Sequence, residues 1–441
     1  MSNPYQTTQP TPSAVRSPFA PWIAGGAAFA VYFCMYAFRK PFSAGTFDDQ
    51  TVYSGFDLKT VLVLSQLCGY MLSKFIGVKL ISEMPRSRRA IVIVGLIVVS
   101  ELALLGFAYL PMPCKPLMMF FNGLPLGMIF GLVMAYLEGR RQTEALAAGL
   151  CASFIVASGV VKSVGRWLVE GQGVSEFNMP WMTGLMFFPP LLLFVWLLQR
   201  TPEPTEADLQ LRSERPVMTG QQRWAFFKAY MPGLIALLFV YIMLTIIRTI
   251  RDDFGVEIWI ALGVDGQPDV FARSETIVAV AATALNALAI CVVRNLTALR
   301  ATSWLMSGGF AIVAASAVMQ WSGLLSPFVF MVSCGIGLYI PYVAFHTTIF
   351  ERLISASKRP GNLGFLMYLA DSIGYLGYAG IMVWKTASPP GQSLFEPFRI
   401  ALLASAILSV AALLFADLYF RRTLSTENSV SGDIVTAGRS N

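Results

Sequence analysis

Arg39 and Lys40 stand side by side near the end of an apolar run, "VYFCMYAFRK" at 31–40. A similar run, "VYIMLTIIRT" at 240–249, carries Arg248, and laying one over the other pairs Val31 with Val240, Tyr32 with Tyr241 and Arg39 with Arg248. Two lysines sit inside other apolar stretches, Lys74 in "YMLSKFIGVKL" and Lys162 in "VVKSVGRWL". A guanidinium stays charged at all relevant pH and offers a planar fork of donors that matches phosphate or carboxylate oxygens. An ammonium adds a point charge with three donors. Two arginines facing one cavity repel each other when it is empty, and a bound oxyanion relieves that repulsion. The alternative for each arginine is a flank residue reaching back to the headgroups. For Lys162 it is an internal salt bridge, with Glu101, Asp371 or Glu170 as partner.

The elements that carry these cations belong to a membrane. Of 441 residues 56% are hydrophobic and 13% charged, and the mean hydropathy is +0.62, outside the range of soluble domains. About twelve apolar stretches are each long enough to cross a hydrocarbon core of about 30 Å: 20–46, 58–82, 90–110, 116–137, 145–168, 180–199, 229–250, 273–293, 299–320, 325–350, 362–385 and 397–420. Each is expected to be an α-helix, because lipid leaves unpaired backbone groups no other partner. Pro232 to Ile247 is only 16 residues, or about 24 Å at about 1.5 Å per residue. The seventh helix must therefore continue through Arg248, which places that charge within the membrane, and by the repeat Arg39 at similar depth.

Basic residues in short loops set the orientation. Arg86, Arg88 and Arg89 follow the second helix, Arg140 and Arg141 the fourth, and Arg352, Lys358 and Arg359 the tenth. With Arg421 and Arg422 after the last helix on the same side, both termini are expected in the cytoplasm, in a multi-pass protein of the cell (inner) membrane. The net charge of +7 then reflects topology and anionic lipid, and no nucleic-acid partner is expected. A polar linker, 200–223, separates an N-terminal six-helix half, 20–199, from a C-terminal half, 224–422, with disordered tails expected at 1–19 and 423–441. A second alignment supports the repeat by placing Glu138 over Glu351 and Ser158 over Asp371. Parallel six-helix halves suggest the major facilitator architecture, with a midplane site between them.

The remaining chemistry is sparse. Cys34, Cys68, Cys114, Cys151, Cys291 and Cys334 lie singly, so neither a disulfide framework nor a metal cluster is expected. The single histidine, His346, falls in the tenth helix. No nucleophile motif or phosphate-cradling glycine loop occurs, which argues against an enzyme and against a cofactor. Gly123, Gly127 and Gly131 recur at four-residue spacing on the fourth helix, where small residues allow close helix approach.

At these residues the chain resembles the organophosphate:phosphate antiporters of the major facilitator superfamily, which include the glycerol-3-phosphate and hexose-6-phosphate transporters. The resemblance rests on the tyrosine-rich first helix ending in Arg39-Lys40, on "SKF" at 73–75 followed by "SEMPRSRR", on Arg248, and on "VKSVG" of the fifth helix. It implies that Arg39 and Arg248 bind phosphate, that Lys74 is the family's second-helix lysine, and that Lys162 is its basic fifth-helix position. It also implies an outer-mouth ion pair between Lys40 and Asp253.

The expected function is secondary transport of an organic anion, a phosphorylated metabolite in the specific version, with inorganic phosphate as counter-substrate and a monomeric protein. Tyr32, Tyr36 and Tyr241, with Tyr368 and Tyr375, are candidate substrate contacts, ordinary packing being the alternative. A proton- or sodium-coupled carboxylate symporter is the second reading, with Glu101, His346 and Asp371 as coupling residues. A non-transporting sensor on the same fold is the third.

Overall fold

The computed structural model describes residues 20–437 apart from 48–51, 54–55, 83, 138–142, 203–219, 291, 293, 358, 360, 362 and 387–393. The expected tail at 1–19, most of the linker, Glu138, Arg140, Arg141, Cys291 and Lys358 lie outside the described residues.

Six long helices precede the linker: α1 (Ala20–Met35), α2 (Leu58–Ser82), α3 (Arg86–Tyr109), α4 (Lys115–Leu137), α5 (Thr143–Arg166) and α6 (Met179–Gln199). After it come the short α7 (Gly220–Ala229), then α8 (Met231–Asp253), α9 (Gly255–Ala261), α10 (Asp269–Ile290), α11 (Asn295–Trp321), α12 (Pro327–Thr347), α13 (Ile349–Ala356), α14 (Leu363–Thr386) and α15 (Phe395–Ala437). A two-residue hairpin, β1 (Val52–Tyr53) against β2 (Phe56–Asp57), leads into α2. Nine of the described helices are long and apolar enough to cross a membrane, and α1 is a shorter apolar helix. Exposed Leu102, Trp196, Val280 and Ile407 point outward from the bundle. Around a soluble protein such a surface would be a liability, whereas lipid solvates it.

The first span is not the single helix expected over 20–46. Regular α-helix ends at Met35, a 3₁₀ turn covers Tyr36–Phe38, and a second 3₁₀ turn covers Pro41–Ala44. Pro41 has no N–H to continue the ladder and its ring clashes with the preceding turn. The break frees carbonyls inside the bundle, and buried amides satisfy them. Asn122 Nδ2 donates to Phe38 O at 2.9 Å, and Gln66 Nε2 donates to Arg39 O at 3.0 Å. Gln66 also donates to Asn122 Oδ1 at 2.7 Å, so α1, α2 and α4 are tied together at the break. In contrast α8 runs unbroken through Arg248 to Asp253. At the far end of the chain α15 continues to Ala437, past residue 422 where a tail is expected.

Close packing of α2 on α4 rests on glycine. A Cβ on Gly69 would overlap Phe120 O, and one on Gly123 would overlap Gln66 O. Two helix backbones can approach this closely only where side chains are missing. Across the linker, α5 packs on α10 and α12, and α2 packs on α14. These contacts leave a cleft between the two sets of helices.

Candidate functional site

The cleft holds a cavity of about 540 Å³ whose walls come from α1, α2, α4 and α5 on one side and α8, α12 and α14 on the other. Arg39, Lys40, Lys74, Tyr32, Tyr36, Arg248, His346 and Asp371 all line it. Lys162, Tyr241, Asp253 and Glu101 are not among its lining residues.

Arg39 and Arg248 are each capped by aromatic rings. The Arg39 guanidinium carbon lies 3.9 Å from the Tyr70 ring centroid and 5.9 Å from that of Tyr36. The Arg248 carbon lies 4.2 Å from Tyr342 and 5.8 Å from Tyr339. Stacking on a ring face leaves the donor edge of the fork free, because the ring engages the face of the guanidinium. Neither arginine is within ion-pair distance of a carboxylate among the described residues, and each has a buried Nε without a hydrogen-bond partner. Among the described residues, the weak bond from Arg248 Nη2 to Thr249 Oγ1, at 3.4 Å, is the one hydrogen bond made by either guanidinium. Two unneutralised cations therefore face the same cavity.

The other lining cations are spoken for. Lys74 Nζ lies 2.6 Å from Asp371 Oδ2, and Tyr241 donates to Asp371 Oδ1. His346 Nδ1 lies 2.8 Å from Tyr342 O, and a carbonyl can only accept, so Nδ1 carries a proton in this contact. Its ring centroid is 4.3 Å from that of Tyr342. Arg89, at the mouth, donates to Ala135 O at 2.8 Å.

An ionic cluster meets the cavity wall at Lys40 and Asp252. Lys40 Nζ lies 2.5 Å from Asp252 Oδ2 and 2.5 Å from Asp253 Oδ1. Lys162 Nζ reaches Asp252 Oδ1 at 2.5 Å and also donates to Asp252 O. Ser158 donates to Asp252 Oδ1 at 2.5 Å, and Tyr378 donates to Asp253 Oδ2 at 2.8 Å. Around this cluster Lys59 pairs with Glu257 at 2.5 Å and Lys385 with Asp57 at 3.1 Å. In every one of these ion pairs one partner precedes the linker and the other follows it. At the opposite end the lining continues to Arg89, Leu363 and Gly364, at the starts of α3 and α14.

Two expectations change here. The ion-pair partner of Lys162 is Asp252, not Glu101, Asp371 or Glu170, because the fifth helix turns Lys162 toward the last turn of α8; Glu170 instead pairs with Arg166. Lys162 is thereby held in the ionic cluster and is not among the cavity's lining residues. Glu101 faces Phe38 and Gly184, and both its oxygens are buried without a hydrogen-bond partner.

Sequence reasoning named Asp253 and passed over Asp252, which takes both lysines. It also passed over Tyr70 and Tyr342. Their signal was present: each stands four residues before a cavity residue, Tyr70 before Lys74 and Tyr342 before His346, which places both members on one helix face.

Residues 41–423 match the model of a family of unknown function, DUF5690. The chain belongs to that family. No curated protein matches the sequence. Among solved structures, the crystal structure of a D-xylose-proton symporter superposes with a TM-score of 0.61, covering 90% of this chain and 97% of that chain at 13% identity. Likeness at that identity is likeness of fold. This DUF5690 chain is an all-α polytopic membrane protein with the major facilitator fold.

Proposed function

We infer that the protein is a secondary transporter of a small organic anion, working by alternating access. The observation that carries this reading is the pair of ring-capped arginines, Arg39 and Arg248, facing one cavity between the halves without a carboxylate to neutralise them. A permanent charge at that depth is costly unless something compensates it. An oxyanion that accepts from both forks does so, and a phosphorylated metabolite supplies the most acceptor oxygens. The ionic cluster around Asp252 acts as the closed gate. With the loop arginines placed in the cytoplasm, the cavity opens inward and both termini lie on the cytoplasmic side of the cell membrane. The major facilitator fold shared with a proton-coupled sugar symporter supports a carrier, and the organic phosphate rests on the two arginines and on the resemblance of the first, second, fifth and seventh helices to the organophosphate antiporters.

One feature favours a second reading. Asp371 lies on the cavity wall, within reach of Lys74 and the Tyr241 hydroxyl, where a carboxylate could exchange a proton with the lumen. That would make the protein a proton-coupled symporter of the anion. Reconstituted vesicles separate the two. Preloading with inorganic phosphate and following phosphate efflux against external organic phosphates gives obligatory one-for-one exchange in the first reading. Uptake driven by an imposed pH gradient into empty vesicles belongs to the second. Absence of any flux, and of any anion binding to purified protein, would remove both.

A further inference from the structure

We propose that the anion this cavity takes has a planar, largely apolar ring as its body, an aryl or heteroaryl phosphate or carboxylate, in place of a polyhydroxylated chain or sugar. The proposal rests on the anion-site reading above and narrows it to a substrate class.

The rings that cap the arginines also build the rest of the wall. Tyr342, over Arg248, meets Phe154 of α5 with centroids 5.6 Å apart at 84°. Tyr70, over Arg39, meets Tyr375 of α14 at 5.9 Å and 68°. Both pairs bridge the two halves, and in each one ring touches a guanidinium while the other lies beyond it. An anion gripped by either fork therefore has its body laid against aromatic faces. Tyr36 extends the surface, stacked with Phe154 at 6.3 Å and 17°. Offset and edge-to-face contacts of this kind are the ones aromatic rings favour, and a ligand ring laid against the faces these pairs turn to the cavity would extend the same packing.

The polar inventory of the wall points the same way. Among the described lining residues there is no serine, asparagine or glutamine, and Thr249 is the one aliphatic hydroxyl. The two amides nearest Arg39 are turned away from the cavity and committed: Gln66 to Arg39 O and Asn122, Asn122 to Phe38 O and Ser100. The phenol of Tyr368 donates to Lys74 O at 3.0 Å. A pyranose also stacks on aromatic rings, but each of its hydroxyls needs a partner once buried, and a buried hydroxyl left without one is penalised. A site that reads hydroxyls discriminates through such partners, and apart from its charged groups this wall offers mainly phenols, those of Tyr32, Tyr36, Tyr70, Tyr342, Tyr368 and Tyr375, whose rings are also its apolar faces. The cavity volume of about 540 Å³ lies in the usual range for small-molecule sites, about 300–1,000 Å³, and leaves room for a ring beside its anionic head.

The test uses purified full-length protein in lipid nanodiscs and calorimetric titration with head-group-matched probes: phenyl phosphate against glucose 6-phosphate, and benzoate against gluconate. The ring-bearing probe of each pair is expected to bind at least about tenfold more tightly, a ratio of about 1.4 kcal/mol. Phe154→Leu, and separately Tyr375→Leu, should shrink that ratio toward unity, while Arg39→Lys lowers affinity for both members of a pair and keeps the ratio. If glucose 6-phosphate or gluconate binds as tightly as its ring-bearing counterpart, the ring proposal is overturned and the anion site stands. If none of the four probes binds, the anion-site reading fails and takes this proposal with it.

Discussion

Lys40 Nζ lies 2.5 Å from Asp252 Oδ2, joining the break after α1 to the last turn of α8. The contact is buried on both sides, and Asp252 also takes Lys162 and Ser158. A buried ion pair gains little unless the remaining lone pairs are satisfied, and here a serine and a second lysine satisfy them.

The two aspartates are therefore unequal. Asp252→Asn leaves Lys162 without a carboxylate and Lys40 with Asp253 alone, and should cost about 3–5 kcal/mol, as breaking a buried pair does. Asp253→Asn leaves Lys40 with Asp252 and loses the charge that accepts from Tyr378, at about 1–2 kcal/mol. Melting curves of the two variants in one detergent would rank them. Equal melting temperatures would show that Asp252 is not the centre of the cluster.

Anion affinity should follow the charge left in the cavity by the Lys74–Asp371 pair. Lys74→Gln bares a carboxylate beside the anion and should weaken binding about tenfold. The double variant Lys74→Gln/Asp371→Asn restores the balance and should recover most of that loss. Titration of phenyl phosphate into the three proteins at low salt decides it; a double variant as weak as Lys74→Gln would mean that Lys74 touches the ligand directly.

Arg39→Lys and Arg248→Lys preserve charge and remove the fork, so each should lower affinity about 10- to 100-fold with little change in melting temperature. Wild-type affinity in both variants, measured by the same titration, would make the arginines structural anchors.

Gly123→Ala should be among the most damaging small substitutions in the chain, because the new methyl meets Gln66 O of α2; overpacking of this kind costs about 1–3 kcal/mol. Gly95→Ala, with nothing within 4 Å, is the matched control and should be neutral or slightly stabilising. Folded yield by size-exclusion fluorescence reports both.

Glu101→Gln tests the unpartnered acid beside Phe38. Removing a charge that no hydrogen bond or cation compensates should leave the melting temperature unchanged or higher at pH 9. A clear loss would mean that the carboxylate has a partner in another conformation of the protein.

Much of this protein is legible in its sequence because lipid imposes one-dimensional rules. A span must be apolar, helical and long enough to cross, so composition and segment length alone mark where the long helices lie, the break after Met35 excepted, and the pairing of Arg39 with Arg248 follows from comparing two of them. What needed three dimensions was the direction of each side chain. Pro41 shows in the sequence, yet that its break would free Phe38 O and Arg39 O for Asn122 and Gln66 depends on α2 and α4 arriving there, which Gly69 and Gly123 permit. Lys162 and Lys74 look alike as lone cations in apolar helices. One is turned toward Asp252 in the ionic cluster, the other toward Asp371 on the cavity wall, and that difference is a helix rotation fixed by packing against distant parts of the chain. Tyr70 and Tyr342 are two of fifteen tyrosines, and only the assembled halves bring them over the two guanidinium groups. Charge and hydrophobicity are local properties, readable residue by residue; which charge meets which is decided by contacts between segments hundreds of residues apart.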